Sequence, residues 1–200
     1  MSTAILADTA GVAPAPPQIL PMETDEALYE LINGQRVEMP PMNLRAATVA
    51  GRLYAFINSF ATPNRLGEAF IETLIQVPVP TDADRNRRPD VCFVSAARLV
   101  VARPEDFDVN AWEVIPDLAI EVTSPTDRAE DQREKVQEYL RLGVRCVWVV
   151  YPKLGLVDVY EPQGAVRTFG PGGVLPGDPV LPGLEIRLDE LFRPIGPPKE

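Results

Sequence analysis

Five consecutive residues, Cys146-Val147-Trp148-Val149-Val150, offer no polar side chain that alternation could turn toward water. Successive side chains on a strand point to opposite faces, so such a run reads as a central strand covered on both sides. A second run, Pro116-Asp117-Leu118-Ala119-Ile120-Glu121-Val122-Thr123, precedes it and reads as another buried strand, closed by Ser124-Pro125. Between the two, Asp127 to Leu142 has the marks of a helix: acidic residues early, an Asp131/Lys135 pair at i,i+4, and a stop at Gly143. This order places the chain in the α/β (α+β) class, a mixed β-sheet flanked by helices.

The flanking sequence fits that class. Asn33-Gly34, between Leu31-Ile32 and Val37, predicts a hairpin over Tyr29–Met39, because both central residues of a type I′ turn need φ > 0. Val49, Leu53, Phe56, Ile57 and Phe60 fall at helical spacing and predict an amphipathic helix over 44–61. A strand-like stretch runs from Gly67 to Pro78. A polar loop holding Arg85, Arg87 and Arg88 then leads to the short strand Val91–Val94. An irregular segment with Pro104 and Trp112 follows. After the central strand come short strands at 156–160 and 166–169, a Gly/Pro-rich loop at 170–183, and alternating Leu184, Ile186 and Leu188 before a turn at Asp189–Phe192. Two hundred residues suit one domain. Residues 1–22 read as a disordered Pro-rich tail, 23–192 as the domain and 193–200 as a C-terminal tail.

Composition removes whole classes of chemistry. The chain has no histidine, which excludes Ser-His-Asp and Cys-His catalysis and any His-ligated metal. Two cysteines, Cys92 and Cys146, are too few for a Cys-rich zinc site, and both lie in apolar runs where a reduced, buried thiol is expected. Catalysis is left to carboxylates, Lys, Arg, Ser, Thr or Tyr, with a hard metal. The first basic residue is Arg36, so a secretory leader is not expected, and no apolar run of membrane-spanning length occurs. A cytoplasmic protein is the expectation. Net charge is −10, which argues against broad nonspecific nucleic-acid binding. Residues 85–153 nevertheless hold 11 of the 19 basic side chains, which leaves room for a phosphate-contacting site there.

Two acids stand out by position. Asp90 opens a strand directly after a proline, and Glu121 lies inside one between Ile120 and Val122. A carboxylate in a buried strand costs several kcal/mol unless it is paired or holds a cation. Two carboxylates from neighbouring strands, with a backbone carbonyl, suit Mg²⁺ or Mn²⁺. Each residue also has a plainer reading. Asp90 can cap a turn, Glu121 can pair with an arginine such as Arg88, and Lys135 can sit in a helix-face ion pair with Asp131 or Glu138. Thr123 reads as a packing residue, Arg85, Arg87 and Arg88 as a solvated loop within reach of a DNA backbone, and Trp112, Trp148 and Tyr139 as core.

Pro89-Asp90 followed about thirty residues later by Glu121-x-Thr123 resembles the PD-(D/E)xK nuclease core, with Thr123 in the place of the motif's lysine. The longer pattern resembles the Uma-two family of restriction-endonuclease-like proteins. It comprises Arg88-Pro89-Asp90-Val91, the 116–125 block, Lys135, Tyr139, Gly143-Val144, Val147–Val150, Pro152, and Tyr29-Glu30-Leu31-Ile32-Asn33-Gly34 upstream. The resemblance spans residues 26–192. It implies a restriction-endonuclease-like fold and an endonuclease that hydrolyses phosphodiester bonds in DNA through a metal-activated water. It implies Asp90 and Glu121 as ligands of Mg²⁺ or Mn²⁺, with the Val122 carbonyl beside them. Lys135 would stand in for the missing lysine, and Glu30 would be an accessory acid. The family commonly carries a histidine near position 46, where this chain has Ala46. Two other functions use the same core: a catalytically silent module binding nucleic acid or protein, and a hydrolase of small phosphoesters. A homodimer is the expected assembly for cutting both strands.

Overall fold

The computed structural model describes residues 27–100, 111–125 and 127–196. In chain order its elements are β1 (Tyr29–Ile32), β2 (Gln35–Glu38), α1 (Leu44–Ala61), β3 (Gly67–Ile71), β4 (Ile75–Gln76), β5 (Asn86–Arg87), β6 (Val91–Ser95), α2 (Ala96–Leu99), β7 (Leu118–Val122), α3 (Ala129–Leu142), β8 (Cys146–Tyr151), β9 (Leu156–Tyr160), β10 (Val166–Phe169), β11 (Val174–Pro176), β12 (Glu185–Arg187) and α4 (Leu188–Leu191). The main sheet has the order β10-β9-β8-β7-β6-β3. Its β7–β8 pair is parallel and its other pairs are antiparallel. The sheet is therefore mixed, and β8 is central as its unbroken apolar run demands.

Helices cover both faces. Ile120, Val122, Trp148 and Val150 face one core, packed with the α1 stripe Ala46, Val49, Ala50, Leu53, Ile57 and Ala61 and with Leu188 and Leu191 of α4. Ala119, Val147 and Val149 face the other core, with Val136 and Tyr139 of α3. The alternation along β7 thus sends Glu121 to the α3 side. Asn43 caps α1 by accepting the Ala46 N–H at 3.0 Å, and Gly143 ends α3 at φ +100°. Cys92 and Cys146 are free, buried thiols.

A second sheet, order β2-β1-β5-β4, is built on the hairpin, whose turn residues Asn33 and Gly34 have φ of 53° and 70°. The stretch expected as one strand over 67–78 is divided between the two sheets. Glu72 adopts φ 46°, a left-handed turn that ends β3 and sends β4 into the small sheet. The Glu72 N–H meets the Asp90 carbonyl at 3.1 Å, so the turn is tied to the start of β6. The loop expected to hold Arg85 and Arg87 contains β5, and both arginines are buried. Part of the 170–183 loop is β11, paired with β12, and α2 follows β6 directly. The expected tail at 1–22 and most of the irregular segment with Pro104 lie outside the described residues.

Gly67 is where the edge strand β3 meets β6 most closely. It has φ +144°, and a Cβ there would fall 2.1 Å from the Val94 carbonyl oxygen. Backbone strain and overlap with main-chain atoms act together, so Gly67→Ala should lower stability by about 3 kcal/mol or more. Urea unfolding of the two proteins checks this. A loss under about 1 kcal/mol would mean that β3 shifts freely.

Candidate functional site

The register of β6 on β7 brings the two singled-out acids together. Val91 is opposite Ile120 and Cys92 is opposite Ala119. Continuing that antiparallel register by one residue sets Asp90 across from Glu121. Cross-strand partners have Cβ atoms about 5 Å apart, and like charges placed so repel. Asp90 Oδ2 accepts the Val122 N–H at 2.6 Å, which anchors it to the strand it faces.

Glu121 is held from the helix side. Its Oε1 accepts the Tyr139 hydroxyl at 2.7 Å, and its Oε2 lies 3.2 Å from Lys135 Nζ. Lys135 and Tyr139 are four residues apart on α3, so one helical face supplies both. Lys135 Nζ is also 2.9 Å from Glu30 Oε1, which comes from β1 of the small sheet. Glu30 Oε2 in turn binds Arg87 at 2.8 Å, and Arg87 binds Glu138 of α3 at 2.7 Å. Arg85 adds Glu138 at 2.6 Å and Glu134 at 2.9 Å. A continuous line of buried charge therefore runs from β5 through α3 and β1 to β7.

The line is not balanced. Among the described residues, Glu30, Asp82, Asp90, Asp117, Glu121 and Glu138 are the buried acids, and Asp90 alone of them has no ion-pair partner. Burial, and then the nearby Glu121 charge, push its pKa to about 8, against the Val122 N–H. Burial also raises Glu121, partly opposed by Lys135. Burial would raise Glu30 too, but Lys135 and Arg87 outweigh it and hold that carboxyl below its usual range. Burial disfavours the Lys135 ammonium, yet Glu121 and Glu30 overcome this and raise its pKa. Tyr139 is raised by burial and by Glu121, so it stays a donor.

Two carboxylates of this kind meet the donor chemistry of a hard cation. Asp90 Oδ1 has no hydrogen bond among the described residues. Glu121 has two of roughly four lone-pair positions in use, so neither acid would have to give up a partner. A cation would also offset the burial and the Glu121 charge that together raise the Asp90 pKa. The described residues contain no group of three or more His, Cys, Asp or Glu side chains arranged to hold a metal. Asp90 opens onto a cavity of about 510 Å³ lined also by Glu38, Met39, Pro40, Pro41 and Glu72.

Several sequence expectations change. Lys135 does not pair with Asp131 or Glu138; it reaches across to Glu30 and Glu121. Glu121 does not pair with Arg88, whose guanidinium binds the Tyr29 and Glu72 carbonyls. Arg85 and Arg87 are spent in ion pairs and are not a solvated loop. Thr123 donates its hydroxyl to the Val150 carbonyl at 3.1 Å, a bracing contact between strand ends. Ala46 is buried in the α1 core and contributes nothing to the site. Glu138 and Arg87 escaped the sequence reading because a solvated helix face and a polar loop carry the same residues.

A protein-family model described as "Putative restriction endonuclease", Uma2, matches residues 16–189. The chain belongs to the Uma2 family. Among solved structures, one described as a "putative nuclease belonging to DUF820" from Anabaena variabilis ATCC 29413 aligns with a TM-score of 0.72 at 24% identity. The match covers 86% of this chain and 92% of that one, and it establishes the shared fold. No curated protein matches. The Uma2 fold is here a restriction-endonuclease-like α/β core. No helix among the described residues is long and apolar enough to cross a membrane.

The unpaired Asp90 has a pH signature. With its folded pKa raised from 3.8 to about 8, the folded state keeps a proton that the unfolded chain releases. Its contribution to stability is complete below pH 4 and is lost as pH rises toward 8, by at most about 1.4 kcal/mol per unit. Asn mimics the protonated acid and can accept the same N–H. In EDTA, the stability of Asp90→Asn relative to wild type should rise between pH 5 and pH 8.5, read by chemical denaturation at each pH. A difference independent of pH would show that Asp90 ionises freely.

Proposed function

We propose that the Asp90–Glu121–Lys135 centre hydrolyses phosphodiester bonds in DNA with Mg²⁺ or Mn²⁺ held by Asp90, Glu121 and the Val122 carbonyl. One observation carries this reading: two buried carboxylates face each other across β6 and β7, and one of them, Asp90, has no ion-pair partner among the described residues. When bound, the cation would polarise the diester and lower the pKa of a water.

The chain's own groups do the rest. Tyr139 fixes Glu121 Oε1, and Glu30 holds Lys135 so that its ammonium stays at Glu121. An ammonium has three donors, and the two acids account for two of them. The third can donate to a phosphate oxygen or orient a water. Lys135 remains charged through neutral pH, so its role is to stabilise charge and position rather than to accept a proton. Arg87 and Glu138 are positioning residues that act through Glu30.

A second reading is a nuclease-fold module that binds nucleic acid or protein without turnover. The absence of histidine and the count of two side-chain donors favour it, and on donor count alone it is the better supported. The cross-strand pair argues for hydrolysis.

Plasmid and single-stranded DNA, incubated with Mn²⁺ or Mg²⁺, separate the two. Hydrolysis predicts metal-dependent cleavage by wild type, abolished in Asp90→Asn and Glu121→Gln and lowered roughly 10²-fold or more in Lys135→Ala. It also predicts a metal-dependent rise in melting temperature that both acid variants lose. No cleavage and no thermal shift would establish the silent module. Cleavage of a model diester without cleavage of DNA would make the substrate a small phosphoester.

A further inference from the structure

Of the basic residues concentrated between 85 and 153, Arg85, Arg87 and Lys135 are taken up in ion pairs inside the protein. A group of bases without carboxylate partners among the described residues gathers at one end of α1. Arg45 and Thr48 of α1, Pro152 after β8, and Phe192, Arg193 and Pro194 after α4 line a cavity of about 400 Å³. Lys153 is exposed beside Pro152. Arg52 bridges the two segments, donating to the carbonyls of Leu191 at 2.9 Å and Arg193 at 2.7 Å. None of Arg45, Arg52, Lys153 and Arg193 has a carboxylate partner among the described residues, although the chain carries 29 acids. Burial, and then the Arg193 charge, hold Arg52 below the usual arginine range.

This patch lies at the same end of the sheet as the two acids. Val122 is opposite Val150, so Pro152 begins about 7 Å further along β8. On the other side, Met42 borders the Asp90 cavity, and Arg45, one helical turn on, lines the arginine cavity. Between the cavities stands the N-terminus of the 18-residue α1, which has no acid in its first turn and favours an anion.

We infer that Arg45, Arg193 and Lys153, around the α1 N-terminus, form the landing surface for the phosphate backbone of a nucleic acid whose next phosphates reach the Asp90 cavity. The inference rests on the phosphodiester reading for its substrate. It also answers a difficulty in that reading. Glu38, Glu72 and Asp90 line the mouth of the site, so a polyanion needs an electropositive hold beside it. Guanidinium groups, one hydroxyl and a helix N-terminus are the donors that fix a nucleic-acid backbone in register without reading sequence.

The test is fluorescence anisotropy with a labelled DNA duplex of about 20 base pairs, in EDTA, at about 50 and 200 mM salt. The triple variant Arg45→Ala/Lys153→Ala/Arg193→Ala should bind at least about tenfold more weakly than wild type, with a salt slope shallower by two to three. Arg52 is left in place because it holds the α4 segment. Arg45→Lys/Arg193→Lys, which keeps both charges, should stay within about threefold of wild type, which separates charge from folding. Arg141→Ala, on the last turn of α3 at the far end of the sheet, should bind as wild type does. Equal affinity and slope in the triple variant, or no binding by wild type at low salt, would overturn the inference. Binding in EDTA involves no turnover, so patch-dependent binding without metal-dependent cleavage would overturn the hydrolysis reading and leave the patch standing.

Discussion

The ion pairs of Arg87 decide the shape of this site. Its guanidinium, on the two-residue strand β5, holds Glu138 of α3 on one side and Glu30 of β1 on the other. The small sheet is thus fastened to the α3 face through buried charges. Burying ions costs several kcal/mol each, and their mutual attraction roughly returns that amount, so this contact adds little net stability. It gives position instead. Glu30 arrives beside Lys135 because Arg87 holds it there, and Lys135 then lies between Glu30 and Glu121. Loss of one partner would leave an uncompensated charge in a dry interior, a cost of about 3–5 kcal/mol. The network is therefore weak as glue and strong as a jig.

The same accounting singles out Asp90. Burying an acid without a base is tolerated when the acid keeps its proton, and the raised pKa of Asp90 is that solution. Two features stop the chain from simply turning the side chain outward. The Glu72 N–H binds the Asp90 carbonyl, which fixes the backbone at the start of β6, and the Val122 N–H binds the carboxyl. The strand register does the remainder, because a one-residue slip would send Glu121 to the apolar α1 face and turn Ile120 and Val122 away from it. The geometry of the acid pair is thus set by main-chain pairing.

Much of this architecture is legible in the sequence because it is local. The hairpin follows from Asn33-Gly34, α1 from its apolar spacing and α3 from its acidic start and Gly143. The central β8 follows from an unbroken apolar run. Asp90 and Glu121 are legible because acids are out of place at those points. The partners of the buried charges are not legible. Asp131 and Glu138 lie at helical spacing from Lys135, yet the ammonium goes to Glu30 and Glu121, residues 105 and 14 positions away, because Asp131 is exposed, where a pairing is worth little, and Glu138 is already held by Arg85 and Arg87. Arg85 and Arg87 read as loop because a two-residue strand carries no period. Glu72 gave no sign of its left-handed turn, since no Gly, Asn or Pro marks it and apolar residues lie close on both sides.

On the proposed hydrolytic reading, Lys135 supplies from α3 the charge that the nuclease motif places on the strand. In the pattern that this chain resembles, the base follows the Glu by two residues on the same strand, where Thr123 stands. Thr123 faces the same side as Glu121, but its hydroxyl is committed to the Val150 carbonyl, where β7 and β8 part. A lysine there would have to give up that brace. From α3, the long side chain of Lys135 reaches Glu121 from above the sheet, and the strand end keeps its hydrogen bond. The exchange has a consequence for control. A strand lysine would move with Glu121, whereas Lys135 depends on the docking of α3 and, through Glu30, on the small sheet. Any change that loosens the hairpin from α3 therefore takes Glu30 from the ammonium and leaves Lys135 held by Glu121 alone.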